Sequence, residues 1–205
     1  MGNIRRSLRS RGDHLIERLA ATEALPQLAV LGMVSGLLAG GVIVLFRLAV
    51  DLGQSAYLPG GRTEDFESLA PWLRLVAATA GGLLVGLLFQ TLATPERRVG
   101  IIHVMERLTY HQGHLPLRNL WAQFAGAVIC LTSGHSVGRE GPSVHMGATS
   151  GSQVGQWLGL PNNSTRVLVA CGTAAAIAAS FNTPIAGVIF AMEVVMMEYT
   201  IAGFT

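Results

Sequence analysis

Gly138-Arg139-Glu140-Gly141-Pro142 is the run whose reading decides the fold. It closes an uncharged stretch, residues 119–138, long enough to cross a bilayer. A carboxylate and a guanidinium at the end of such a stretch are costly and call for a functional reason. Pro142 marks a helix start, because its fixed φ suits the first turn. Glu140 is therefore expected just before a helix N-terminus, where free N–H groups and the helix dipole favour an anion. A tethered anion on a site suited to a free one has the character of a gate.

The rest of the chain makes that reading a membrane one. The 205 residues are 50% hydrophobic and 13% charged, with a mean hydropathy of +0.47. Soluble domains carry about 25% charged residues, so half the usual charge is missing. Four uncharged blocks stand at 28–46, 75–93, 119–138 and 167–192. Each reaches or approaches the ~20 residues of a spanning helix. This predicts a polytopic all-α membrane protein and excludes a soluble domain with an anchor.

Charge placement sets the orientation. Arg5, Arg6, Arg9, Arg11 and Arg18 crowd the N-terminus, Asp51, Glu64, Asp65 and Glu67 follow the first block, and Arg97, Arg98, Arg107 and Arg118 follow the second. That alternation is what the positive-inside rule expects. It puts the N-terminus in the cytoplasm and Glu140 near the outer side. Residues 1–25 read as a cytoplasmic amphipathic surface helix ending before Pro26, not as a nucleic-acid arm or cleavable signal.

Along the chain, spans are expected at 28–52, 72–93 and 117–137, with a shorter helix at 99–111. Gly32, Gly36 and Gly40, spaced by four, suit close helix approach. Gly81, Gly82 and Gly86 suggest the same for the second span. An outer loop at 53–71 carries Pro59-Gly60-Gly61 as a turn signal. The segment 142–160 is too polar to face lipid and is expected inside protein or along a cavity. Pro161-Asn162-Asn163-Ser164 supplies a turn with N-cap residues for a helix at 165–179. Ser180-Phe181-Asn182-Thr183-Pro184 breaks the chain within the apolar zone, and a last segment runs from 185 to about 199. Short, interrupted helices whose N-termini lie inside the membrane are a means of binding anions, which points to anion permeation.

Cys130 and Cys171 lie in apolar blocks without metal-ligand spacing and read as buried small hydrophobes. His103, His111 and His114 also lack a metal frame and read as solvated. His135 and His145 flank Glu140, placed either to tune its protonation or to sit neutral and hydrogen-bonded. No metal or cofactor is expected.

Gly138-Arg139-Glu140-Gly141-Pro142, followed by Ser143-Val144-His145-Met146-Gly147, resembles the central signature of the CLC chloride channel and transporter family. Phe181-Asn182-Thr183-Pro184-Ile185-Ala186-Gly187 resembles a second segment of that family. The resemblance runs from about Leu28 to the end. It implies broken and tilted transmembrane helices forming one half of an inverted-repeat fold. Residues 26–205 would then be the first repeat of an anion-transport domain. It also implies a homodimer in a lipid bilayer, chloride as substrate, and Glu140 as gating residue. The anion site would draw on Val99, Gly100, Ile101, Gly138, Arg139, Glu140 and Gly141.

Three departures qualify the resemblance. Arg98-Val99-Gly100-Ile101-Ile102 stands where the family has Gly-Ser-Gly-Ile-Pro, so Val99 replaces a serine hydroxyl. Val194 follows Glu193 where proton-coupled members often carry a glutamate. That favours channel-like conduction over the alternative, a proton-coupled antiporter. The chain also matches only about one repeat, so a second half or complementary chain is expected for a full pathway. Two rival readings are a non-conducting partner of a full-length homologue and an intramembrane serine hydrolase built on Ser133, His135 and His145.

Overall fold

The computed structural model describes residues 25–59, 63 and 65–196. The amphipathic helix expected at 1–25 falls almost wholly outside these residues, as do Arg62, Glu64 and the Gly60-Gly61 turn. The described residues form helices joined by short turns. The order is α1 (Leu25–Ser55), a 3₁₀ turn (Phe66–Ser68), α2 (Pro71–Thr91), a second 3₁₀ turn (Thr94–Arg97), α3 (Gly100–Tyr110), α4 (Leu117–Thr132), α5 (Glu140–Trp157), α6 (Asn162–Phe181) and α7 (Pro184–Phe190). A π-helical segment, Ala191–Met196, continues α7.

Among the described residues three helices are long and apolar enough to cross a membrane: α1, α2 and α6. α1 has 31 residues, about 46 Å at 1.5 Å per residue. That exceeds a hydrocarbon layer of about 30 Å, so this helix tilts or protrudes. It begins ahead of Pro26, because proline fits the first turn, where no N–H is needed.

The third expected span is shorter than its apolar block. α4 stops at Thr132 after 16 residues, about 24 Å. Ser133 ends it and Gly134, at φ 79°, turns the chain. Residues 133–139 are therefore not helical. The cap expected from Asn162, Asn163 and Ser164 is also corrected: Pro161 is the N-cap of α6, no side chain caps it, and Ser164 is buried inside the first turn.

α5 sits at the centre. It packs on α1, α3, α4 and, most extensively, α6. Twelve of its residues are buried although its sequence is polar. Three of its four hydroxyls are satisfied by backbone carbonyls: Thr149 donates to His145 O at 2.7 Å, Ser150 to Met146 O at 2.8 Å and Ser152 to Gly113 O at 2.6 Å. Back-bonded hydroxyls let a Gly/Ser-rich helix lie in an apolar surround. Its glycines bring the backbones together, since a Cβ on Gly147 would lie 2.5 Å from the Gly172 carbonyl oxygen.

The glycine stripe of α1 faces α6 at two of its three positions. Gly32 meets Cys171 Sγ at 3.1 Å and Gly36 meets the Ala175 methyl at 3.5 Å, while Gly40 faces open space. On α2, Gly81 packs against Ser133 and His135, and Gly86 meets nothing. Cys130 and Cys171 are half-buried rather than buried.

Candidate anion site at the starts of α3 and α5

Glu140 is the first residue of α5, one position inside the helix rather than before it, with Arg139 as N-cap. The Ser143 N–H donates to the Arg139 carbonyl at 3.0 Å and closes the first turn. Glu140 carries the only formal charge on α5 and is exposed. A Cβ on Gly138 would fall on the Glu140 carboxylate, so glycine there makes room for the folded-back side chain. A Cβ on Gly141 would meet nothing within 4 Å, so the space before the second residue of α5 is open.

Val99 is the N-cap of α3 and offers no side-chain hydrogen bond. Gly100 follows at φ 85°, a left-handed conformation that glycine adopts without a Cβ penalty. Ile101 is partly buried against the apolar core beneath α5. Asn119 on α4 fixes the approach to this start, its Nδ2 donating to Pro95 O and Arg98 O, both at 2.8 Å. The Glu96 carboxyl in the same connection is held below its ordinary range, chiefly by the hydrogen bond from Arg118 at 2.9 Å.

Two contacts hold the start of α5 against its neighbours. His103 Nδ1 lies 3.0 Å from His145 Nε2, joining α3 to α5. His103 stands three positions after Gly100 and His145 five positions after Glu140, about 4.5 and 7.5 Å of helix rise. Both helix starts therefore sit within a turn and a half of that contact. Ser143 Oγ donates to Ser180 Oγ at 3.0 Å, tying the first turn of α5 to the end of α6. The break then falls at Asn182, whose φ of 56° is left-handed, and at Thr183, before Pro184 restarts the chain.

The histidines divide differently from expectation. His111 and His114 are exposed, but His103 is 5% exposed and paired. Nothing local in the sequence marks that pair, because its members stand 42 positions apart. A hint lay in His103 sharing a helical face with the buried Val104 and Leu108. No group of three or more metal-ligating side chains occurs among the described residues. Ser133 Oγ lies 2.9 Å from His135 Nδ1 and 2.6 Å from Ile129 O. His135 Nε2 turns to Gly82 on α2 rather than to a carboxylate that would orient it as a base.

Comparison with known proteins identifies the family. A ClcB-like protein of Ralstonia nicotianae is 40% identical over 146 residues, covering 69% of this chain and 34% of the relative. The voltage-gated ClC-type chloride channel ClcB of Escherichia coli is 30% identical over 179 residues, covering 85% of this chain and 42% of that protein. Among solved structures, a CLC-type fluoride/proton antiporter superposes with a TM-score of 0.68 at 31% identity, over 84% of this chain and 41% of its own. A slow cyanobacterial Cl⁻/H⁺ antiporter gives 0.65 at 28% identity, over 87% and 43%. The chain thus spans less than half the length of each of these proteins. The family model for the voltage gated chloride channel matches residues 81–205, which hold both α3 and α5 starts, and the chain belongs to that family.

Proposed function

We propose that this chain is the gate-bearing part of a membrane protein that moves chloride or a similar anion, with Glu140 competing for the anion's own site. The observation that carries the reading is the placement of Glu140. It is the lone charge on a buried helix, at the end where the dipole is positive, with its carboxylate folded over Gly138. An anion at a helix start gains about 0.3–1 kcal/mol, and up to about 2 kcal/mol where partly buried. A carboxylate and a halide draw on the same N–H groups. Protonation removes the carboxylate's charge and leaves those groups to the anion. Val99, Gly100 and Ile101 contribute backbone N–H groups at the second helix start, and Gly138 and Gly141 keep the approach open. Arg139 supports the turn.

The pathway is completed by the part of the protein that the longer relatives possess, in a homodimer with the N-terminus in the cytoplasm. Channel-like conduction is favoured by Val194, which puts an alkyl group where a proton acceptor would stand. Proton-coupled exchange is the second reading, favoured because both structural neighbours are proton antiporters.

The test is chloride efflux from liposomes holding the full-length protein. Native efflux is expected to rise as pH falls, and Glu140→Gln is expected to be fast and insensitive to pH. Identical pH profiles for the two would refute the gate. Proton uptake measured alongside separates conduction from exchange.

A further inference from the structure

We propose that the polar cavity beside α3 binds a phosphate group, held chiefly by the Arg107 guanidinium. None of the residues assigned to the anion site lines this cavity, so the phosphate site stands whether or not Glu140 is the gate.

The cavity has a volume of about 510 Å³ and lies between the connection before α3, α3 itself and the start of α4. Arg98, Arg107, Arg118, Glu96, Glu106 and His103 supply its charged and ionisable lining with the exposed His111. Both carboxylates are already committed. Glu106 accepts from Arg98 at 2.6 Å and Glu96 accepts from Arg118 at 2.9 Å. Arg107 is left without a carboxylate, and with it one uncompensated positive charge.

Arg107 is also shaped for a ligand. It is half-buried, and its Nε donates to His114 O at 2.7 Å, which fixes the guanidinium plane. Its Nη1 and Nη2 make no hydrogen bond or ion pair among the described residues. A fork held at its base and free at its tips takes an oxyanion through parallel N–H bonds. Arg98 and Arg118 each use only Nη1 for a carboxylate, so both keep further donors.

His103 adds a second, independent sign. It is 5% exposed, lines the cavity, and bonds His145 through Nδ1 at 3.0 Å. Its Nε2 has no partner among the described residues. When His145 Nε2–H donates to His103 Nδ1, the His103 Nε2 carries the hydrogen and donates outward. A buried polar edge of this kind ordinarily has a partner, and a phosphate oxygen supplies one.

The donor set selects the ligand class. Chloride is a sphere and gains nothing from a planar fork. A carboxylate has two oxygens, which Arg107 alone would occupy. A phosphate keeps further oxygens for His103 and for the spare donors of Arg98 and Arg118. The arginine-rich connection that holds the cavity is on the side the positive-inside rule assigns to the cytoplasm. Phosphate reaches it there as a free ion or soluble ester, or as the head group of an anionic lipid, which basic pockets between membrane helices hold. Bound phosphate bridges the connection, α3 and α4, and so stabilises the folded protein.

The experiment is thermal unfolding of the full-length protein in neutral detergent at constant ionic strength. One arm titrates inorganic phosphate. The other titrates phosphatidic acid in mixed micelles, with phosphatidylcholine as its blank. A rise in midpoint with both upholds the site and assigns it to phosphate in general. A rise with phosphatidic acid alone upholds it and assigns it to a lipid head group. Arg107→Gln should raise the apparent dissociation constant about tenfold or more, the scale of lost charge-assisted hydrogen bonds. Arg98→Gln is the second variant, should Arg107→Gln fail to fold. It removes a donor and frees Glu106 to repel the ligand, and should weaken binding in the same direction. Arg97→Gln removes a charge from the same connection but lines no part of the cavity, and should bind phosphate as the native chain does. The site is overturned if neither phosphate raises the midpoint, or if chloride at equal concentration raises it as much. It is overturned too if Arg107→Gln binds as the native protein does, or if Arg97→Gln loses as much as Arg107→Gln.

Discussion

Gly147→Ala tests the seam between α5 and α6 that holds α5 in place. A Cβ at this position would lie 2.5 Å from the Gly172 carbonyl oxygen and would also fall on the Ala176 methyl. Ordinary contact begins near 3.4 Å, so the two backbones must part by about 0.9 Å. A carbonyl on a facing helix cannot rotate aside as a side chain can. Overpacking of this kind costs about 1–3 kcal/mol, and alanine's better helix propensity returns at most about 1 kcal/mol. A net loss of about 1–2 kcal/mol lowers the folded-to-unfolded ratio roughly 5- to 30-fold. Gly36→Ala is the matched control, since its Cβ would meet the Ala175 methyl at 3.5 Å, an ordinary contact. It should leave stability unchanged or raise it by up to about 1 kcal/mol. Equilibrium unfolding of the full-length protein in mixed micelles of rising SDS fraction reads both. If Gly147→Ala proves as stable as Gly36→Ala, the close backbone approach is not what holds α5.

Three further outcomes are expected. Asn119→Ala removes two hydrogen bonds to the connection before α3 and should cost about 1–3 kcal/mol in the same unfolding assay. It should also weaken chloride binding measured by calorimetry, because the Val99–Gly100 start loses its tether. At the break, Asn182→Gly should be tolerated, whereas Asn182→Val forces a β-branched residue to φ 56° and should cost about 1–2 kcal/mol. Glu96 has a lowered pKa, so its contribution to stability is present above the ordinary carboxyl range and lost as pH falls through the lowered value. Carboxyl ¹³C titration should show Arg118→Ala returning Glu96 toward its ordinary range.

How much of this was legible in the sequence depends on whether the cause was local. The start of α5 was legible to within a residue because Gly-Pro and an isolated charge sit in an apolar surround. The break at 182–183 was legible because Asn and Pro act on their own backbone. Burial of the polar α5 was legible because lipid cannot satisfy its hydroxyls. The end of α4 was not: hydropathy runs on past Thr132, and only the left-handed Gly134 stops the helix. The N-cap of α6 was misplaced for a similar reason, since Pro161, preset for the turn, took the position that Asn162 or Ser164 seemed to claim. The His103–His145 and Ser143–Ser180 contacts were beyond reach, because each depends on how α3 and α6 dock on α5.

An uncapped helix start does not by itself identify the anion site. α2, α4 and α6 begin at Ala70, Pro116 and Pro161 without a side-chain cap, just as α3 and α5 do at Val99 and Arg139. What separates α3 and α5 is that a side-chain contact joins the two helices near their starts. The histidine contact fixes α3 against α5 within a turn and a half of both starts, and Ser143 fixes the first turn of α5 to the end of α6. Each start leaves N–H groups that need a partner. Two such sets, each within a turn and a half of the same histidine contact, with Gly141 open and a tethered carboxylate on α5, are the basis on which we propose a small mobile anion rather than a fixed cap. Val99 fits this logic: an alkyl side chain there leaves the backbone donors of Gly100 and Ile101 uncontested. The serine found at this place in other family members would compete for them as well as add a donor. Selectivity in this chain should therefore rest on backbone geometry, and Val99→Ser should change which halide is preferred more than it changes the rate.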